Sequence, residues 1–246
     1  MNNTTDIALS RLTAQMRAMD ITANNLANMS TPGYRAERIV FADWLSSQTR
    51  TTSPRGDTKL AFTQDRATYR ERAEGSLTQT GNPLDLALSG DGYFTVQTAN
   101  GTRLTRAGRF TLQADGTITD EAGNALLDSN GQKLTAGATD TRLTVTGDGA
   151  ISSENGPIGR IAVVTPADPN KLTAEGARLL RADTQTNPVA APRVVQGAVE
   201  DSNVQPVAEL VRMMGTQRDF QVVTQFVEAE NQRHQTAIDK IAAPLS

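Results

Sequence analysis

Apolar residues recur at alternating spacings of three and four near both ends of this chain, in two stretches separated by most of its length. In the first, from Thr4 to Asn28, the positions are Leu9, Leu12, Met16, Met19, Ala23 and Leu26. Such spacing traces an a/d heptad line along an α-helix, which over this length reaches roughly 37 Å at about 1.5 Å per residue. Ser30, Thr31, Pro32 and Gly33 predict its end. The residue before a proline is steered away from the α region, and glycine suits a turn. The second stretch runs from Val204 to about Ile241. Ser202 or Asn203 can cap it, Pro206 fits a first helical turn, and Glu209 favours the positive end of the helix dipole. Leu210, Met213, Phe220, Val227, Ile238 and Ile241 make one line, and Val207, Val211, Met214 and Phe226 a partial second one. A helix with apolar groups on more than one face has more than one neighbour. Pro244 is expected to end it.

Between these stretches the period changes. Asn100-Gly101, Asp115-Gly116, Asn130-Gly131, Asp148-Gly149 and Asn155-Gly156 sit beside short runs such as YFTVQ, RFTLQ and RLTVT. Asx-Gly supplies the positive φ angles of type I′ turns, so several antiparallel hairpins are expected. The fold expected is α+β: long, coiled-coil-like N- and C-terminal helices flanking a mainly antiparallel β domain. The expected divisions are 1–45 (helix and loop), 46–81 (an extended arm rich in Thr, Ser, Gln and Arg), 82–183 (β domain), 184–203 (a return linker) and 204–246 (helix).

Composition narrows the function. Of 246 residues, 37% are hydrophobic and only 4% aromatic, lean for one large core and consistent with packing completed by neighbouring subunits. A net charge of -3 with interspersed signs gives no basic footprint, so no nucleic-acid partner is expected. The absence of Cys excludes disulfides, thiolate metal sites and a Cys nucleophile. No apolar run is long enough for membrane insertion. Asp6, Arg11, Gln15, Arg17 and Asp20 interrupt any h-region, so no cleavable secretory signal is expected.

Catalytic constellations are not found in the sequence. The single His, His234, cannot make a two-His metal site. GDGYF at Gly90 fails the dinucleotide-loop pattern, and no GxSxG or P-loop occurs. Asp85, Asp91, Asp115, Asp120 and Glu121 are the carboxylates available for glycoside chemistry, and most occupy turn positions. The expectation is no enzyme, no cofactor and no metal. A wall-acting enzyme and a free coiled-coil binding module are the alternatives from other classes.

The stretch ANNLANMSTPGY poses a further question, since it places three amides at a helix end. With Leu9 at heptad position a, Asn24, Asn25 and Asn28 fall at b, c and f, away from the a/d line. Either they face solvent near a fraying end or they satisfy neighbouring backbone, since an amide both donates and accepts.

Three blocks then carry a resemblance. MDITANNLANMSTPGYRAERIVFADWL resembles the N-terminal signature of the bacterial flagellar axial proteins of rod and hook. GNPLDLALSGDGYFTVQ with LTRAGRFTLQADGTITDEAGNALL is similar to their central segment, and VEDSNVQPVAELVRMMGTQRDFQ to their C-terminal signature. The length is too short for a full hook protein, and QRDF at Gln217 to Phe220 resembles the proximal-rod form more than the distal-rod form. The resemblance implies a structural rod subunit that transmits torque and conducts export. It also implies export unfolded through the flagellar type III apparatus without a cleaved signal, and assembly in the periplasm with other rod proteins. The candidate subunit-interface residues are Leu9, Leu12, Met16, Met19, Asn24, Asn25, Leu26, Asn28, Asn203, Val204, Val207, Leu210, Val211, Met214, Phe220 and Val227.

Overall fold

A computed structural model describes residues 3–48, 58–137, 140, 142–176 and 178–242. Residues 49–57 of the expected arm, and Pro244 with its expected helix stop, lie outside the described residues. Two compact units are present: residues 1–27, 37–69 and 205–246 form one, and residues 28–36 and 70–204 the other.

The first unit holds helix α1 (Asn3–Ala27), helix α2 (Pro206–Ala242) and the paired strands β1 (Glu37–Gln48) and β2 (Thr58–Arg70). The paired strands occupy part of the stretch read as an arm. α1 packs against both α2 and β1. No described helix is long and apolar enough to cross a membrane.

Here the sequence expectation needs correction. The ends are not the long coiled-coil-like helices expected, because the heptad line is not the line that packs. Leu9 is 60% exposed and Met16 55% exposed, while the buried positions of α1 are Ala8, Ala14, Thr22 and Asn25. Small side chains let neighbouring backbone come close, and the Thr22 hydroxyl is satisfied by donating to the Ala18 carbonyl at 2.8 Å. A coiled coil instead seats large apolar knobs in its seam. Along α2 the only buried side chain among those described is Glu209.

The second unit is strand-built. In chain order come β3 (Leu77–Gln79), β4 (Leu86–Leu88), β5 (Tyr93–Thr98), β6 (Gly101–Thr105), β7 (Phe110–Leu112), β8 (Ile118–Asp120) and β9 (Ala125–Leu126). Then follow β10 (Leu143–Val145), β11 (Ala150–Ser153), β12 (Gly156–Arg160), β13 (Val163–Pro166), β14 (Leu172–Glu175) and β15 (Leu179–Ala182). The stretch read as a return linker contributes β16 (Thr186–Pro188), β17 (Val194–Gln196) and β18 (Ala198–Glu200). The main sheet runs β14-β15-β6-β5-β9-β8-β7, with β13 pairing both β5 and β16. β10, β11 and β12 form a second sheet, β17 pairs with β4, and β18 pairs with β3. The pairings within this unit are antiparallel.

Phe94, Val96, Phe110, Ile118, Leu126, Ile151 and Ile161 fill one core cluster. Phe94 and Phe110 meet edge-to-face with ring centroids 5.5 Å apart. Each such side chain contributes about 1.5–3 kcal/mol by leaving water.

The turns differ in type from those expected. Among described residues only glycines have positive φ, which excludes type I′ at the Asx-Gly sites. Four loops share one pattern: in 113–117, 120–124, 128–132 and 146–150 the first N–H donates to the fifth carbonyl, and the fourth N–H donates back to the first carbonyl. Each is a type I turn closed by a glycine bulge, a geometry that matches strand twist. Carboxylates within several of these loops accept the N–H two residues on, as Asp115 does from Thr117 at 2.9 Å and Asp128 from Asn130 at 2.9 Å.

Candidate functional site

The helix-ending stretch Thr31–Tyr34 belongs to the second unit. Pro32 and a Gly33 with φ of +69° form a type II turn, closed by the Tyr34 N–H donating to the Thr31 carbonyl at 3.2 Å. The turn delivers Arg35 into a buried charge cluster. Glu200, at the end of β18, has a side chain only 1% exposed. Its Oε2 lies 2.7 Å from Nε of Arg106, which is equally buried, though that N–H is not aligned for a hydrogen bond. Its Oε1 accepts from the Gly75 N–H at 3.3 Å and lies 3.6 Å from Nη2 of Arg35. Nη1 of Arg106 donates to the Gly90 and Gly92 carbonyls at 2.9 and 2.8 Å. The Gly33 N–H donates to the Glu200 carbonyl at 2.7 Å. Asn203 completes the ring: its Oδ1 accepts from the Ala36 N–H at 2.7 Å and its Nδ2 donates to the Ala73 carbonyl at 2.8 Å. Tyr34, Ala36 and Val204 form a small apolar cluster. Thus segments near residues 33–36, 90–106 and 200–204, distant in sequence, hold one another by charge and backbone hydrogen bonds.

In the first unit, Asn25 is fully buried. Its Nδ2 donates to the Glu37 carbonyl at 2.9 Å and its Oδ1 accepts from the Glu37 N–H at 2.8 Å. One amide therefore satisfies both backbone groups at the first residue of β1. Asn25→Leu is expected to destabilise the protein by about 2–6 kcal/mol, since the N–H and the carbonyl of Glu37 each lose this partner at about 1–3 kcal/mol. Asn24→Leu, at an exposed neighbour, is expected to cost markedly less. Urea denaturation compares the two.

Glu209, in the first turn of α2, is fully buried and takes a 2.6 Å contact from Arg38 and another from Arg212. Burial pushes its carboxyl up, but the two guanidinium groups outweigh that and hold it below the ordinary carboxylate range. The folded state therefore favours the ionised form. That stabilisation is present above the ordinary glutamate range and is lost as pH falls through the lowered value.

The comparisons with known proteins follow this geometry. Three family models match in chain order: "Flagella basal body rod protein" over residues 6–35, "Flagellar hook protein FlgE/F/G D1 domain" over 87–153, and "Flagellar basal body rod FlgEFG protein C-terminal" over 195–240. The flagellar basal-body rod protein FlgF of Caulobacter vibrioides is 33% identical over 243 residues, covering 98% of each chain. The chain belongs to the flagellar basal-body rod protein family. FlgF of Salmonella typhimurium is 31% identical over 87% of this chain and 90% of its own. FlgG of Bacillus subtilis is 30% identical over 82% and 85%. The FlgF relatives support the FlgF form of this family. Membership makes the chain a structural subunit of the rod in the flagellar basal body, interacting with other rod and hook components.

The three matched segments of this rod-family chain include Gly33 and Arg35, then Arg106, then Glu200 and Asn203, the residues of the buried cluster. Of the candidate interface residues, Asn203 and Val204 lie in that cluster and Asn25 is inside the first unit. Leu9, Met16, Asn24, Val207, Leu210, Val211 and Met214 are exposed. Leu12, Met19, Leu26, Asn28, Phe220 and Val227 are half-buried. Sequence reasoning missed Arg35, Arg106 and Glu200. No local pattern marks them: in LTRAGRF and GAVED the charges read as ordinary surface residues. Asp115 and Asp120 serve their own hairpin loops, and Glu121 pairs with Arg178.

Proposed function

We propose that this chain is the proximal-rod subunit and polymerises through the outward-facing apolar residues of its two terminal helices. The observation that carries this reading is the exposure of Leu9 and Met16 on α1 and of Val207, Leu210, Val211 and Met214 on α2. Large apolar side chains left in water on helices that pack through small and polar positions are available to neighbouring subunits. Contacts that join one surface to a different surface on the next subunit generate open helical assemblies. In this reading the rod stands in the periplasm, transmits torque and conducts export. Its subunits reach it through the flagellar type III export apparatus without a cleaved signal, and the distal-rod protein FlgG is a neighbour. Neither nucleic acid nor membrane insertion has a part in it, and no catalysis is assigned. The distal-rod position is the competing assignment within the family.

Leu210→Asp tests the interface. Because Leu210 is 44% exposed, the isolated subunit should keep its stability to within about 0.5 kcal/mol. The variant should be secreted, fail to enter rods and abolish swimming; Leu12→Asp should do the same. Normal rods from either variant would refute the interface. Imaging basal bodies after gene deletion decides the position: truncation before the distal rod supports the proximal assignment, and loss of the outer portion alone supports the distal one.

A further inference from the structure

The second unit carries Asn-Gly pairs in three of its turns, at Asn100-Gly101, Asn130-Gly131 and Asn155-Gly156. A glycine nitrogen has no neighbouring Cβ to shield it, so it can reach the side-chain carbonyl carbon of the residue before it. Asparagine is thermolabile for this kind of reason. The three asparagine side chains are held differently. Nδ2 of Asn130 donates to Oδ2 of Asp128 at 3.3 Å, and Nδ2 of Asn155 donates to Oδ1 of Asp140 at 2.6 Å. Asn100 is exposed, and its side-chain amide makes no hydrogen bond among the described residues.

Two effects then separate the sites. A bonded amide must first give up its partner before it can turn toward the next nitrogen. A carboxylate alongside also disfavours the negative charge that develops on the attacking nitrogen and on the carbonyl oxygen. Asn130 and Asn155 carry both handicaps. At Asn130 the attacking group is engaged as well, because the Gly131 N–H donates to the Asp128 carbonyl at 3.0 Å. Near Gly101 the closest side-chain atom to a Cβ position is instead Nη1 of Arg103, at 3.6 Å, a donor whose charge is shared with Glu175.

We propose that Asn100 is a site of spontaneous modification, converting to aspartate and isoaspartate. The Gly101 nitrogen attacks Cγ of Asn100 and loses its proton to solvent, while Nδ2 leaves as ammonia and a succinimide ring closes. Water then opens the ring at either carbonyl, so that one water is consumed and one ammonia released, with no oxidant or reductant. Opening at one side leaves aspartate and an unchanged main chain. Opening at the other routes the main chain through the side chain and lengthens it by a methylene. That change falls in the turn between β5 and β6, where the Asn100 N–H donates to Oγ1 of Thr98 at 3.2 Å and the Thr98 hydroxyl donates to the Gly101 carbonyl at 2.7 Å. β5 supplies Phe94 and Val96 to the core, so the isoaspartate form strains a hairpin on which the unit depends.

The test ages the purified full-length chain in warm, mildly alkaline buffer. Each Asn-Gly peptide is followed by mass spectrometry after proteolysis, and isoaspartate is counted by enzymatic methylation from S-adenosylmethionine. Asn100 is expected to convert about tenfold faster than Asn130 or Asn155, the factor for one charge-assisted hydrogen bond that must break first. In urea, where the turns are lost, the three should convert at similar rates. Asn100→Gln should remove most of the early isoaspartate, because ring closure on the longer side chain is much slower. Native conversion at Asn100 no faster than at the other two would overturn the site, as would early isoaspartate unchanged in Asn100→Gln. So would a rate difference that persists in urea, which would place its cause in the flanking sequence and not in the turn.

Discussion

Glu200→Ala is expected to lower the unfolding free energy by about 3–5 kcal/mol, the range for breaking a buried ion pair by removing one partner. The carboxylate is 1% exposed and stands between two guanidinium groups, 2.7 Å from Arg106 and 3.6 Å from Arg35. Truncation leaves both cations in the interior. Arg106 would still hold the Gly90 and Gly92 carbonyls, so it cannot swing out to water without giving up two further hydrogen bonds. The Gly75 N–H would lose its side-chain acceptor as well. Such a loss is a large part of the 5–15 kcal/mol that holds a typical domain together. A double-mutant cycle separates charge from packing. Glu200→Leu, Arg106→Met and the double variant close the cycle, and the double variant is expected to lose less than the sum of the two single losses. Urea denaturation measures both. A single-variant loss under about 1 kcal/mol would mean that solvent reaches the cluster and that the pair matters little.

What the sequence made legible was local. The α1 boundary followed from Pro32 and Gly33, and the hairpins from Asp and Asn placed before Gly, because both signals act within a few residues. Turn type was misjudged at those same sites. Asx-Gly permits type I′, but the Asx residues keep negative φ, and several carboxylates cap the loop from within. The heptad count found a real apolar line on α1, but could not tell that Ala8, Ala14, Thr22 and Asn25 are the side that packs. Small residues allow close approach and leave no hydropathy signal. Of three similar amides, the one at position 25 is fully buried and meets the Glu37 backbone, and one residue of rotation separates it from the exposed Asn24. The charge cluster was out of reach for another reason. Arg35, Arg106 and Glu200 look like ordinary surface charges until the strand pairings bring them together, and no local rule encodes a contact across most of the chain.

Gly33→Ala is expected to cost about 2–6 kcal/mol, two separate penalties of about 1–3 kcal/mol each acting at one atom. At φ of +69° an L side chain carries a backbone penalty of about 1–3 kcal/mol. A Cβ there would also lie 2.3 Å from the Arg106 carbonyl carbon, 2.5 Å from its oxygen and 2.6 Å from the Ala107 nitrogen. Those are backbone atoms, so relief requires moving the segment that carries Arg106, and overpacking of that kind adds about 1–3 kcal/mol. The shift would also stretch the 2.7 Å bond from the Gly33 N–H to the Glu200 carbonyl. Gly81 supplies the control, with φ of +75° and nothing within 4 Å of its Cβ position. Gly81→Ala therefore carries the backbone penalty alone. If close approach decides the identity of residue 33, Gly33→Ala should lose about 1.5–4.5 kcal/mol more than Gly81→Ala in urea denaturation, by the overpacking estimate of about 1–3 kcal/mol together with the strained hydrogen bond of about 0.5–1.5 kcal/mol. Equal losses would mean that the turn needs glycine only for its dihedral angle and that the Arg106 backbone is free to move. In cells the same difference should appear as motility that fails on warming for Gly33→Ala and persists for Gly81→Ala, because a stability loss of a few kcal/mol changes the folded fraction most where the margin is smallest.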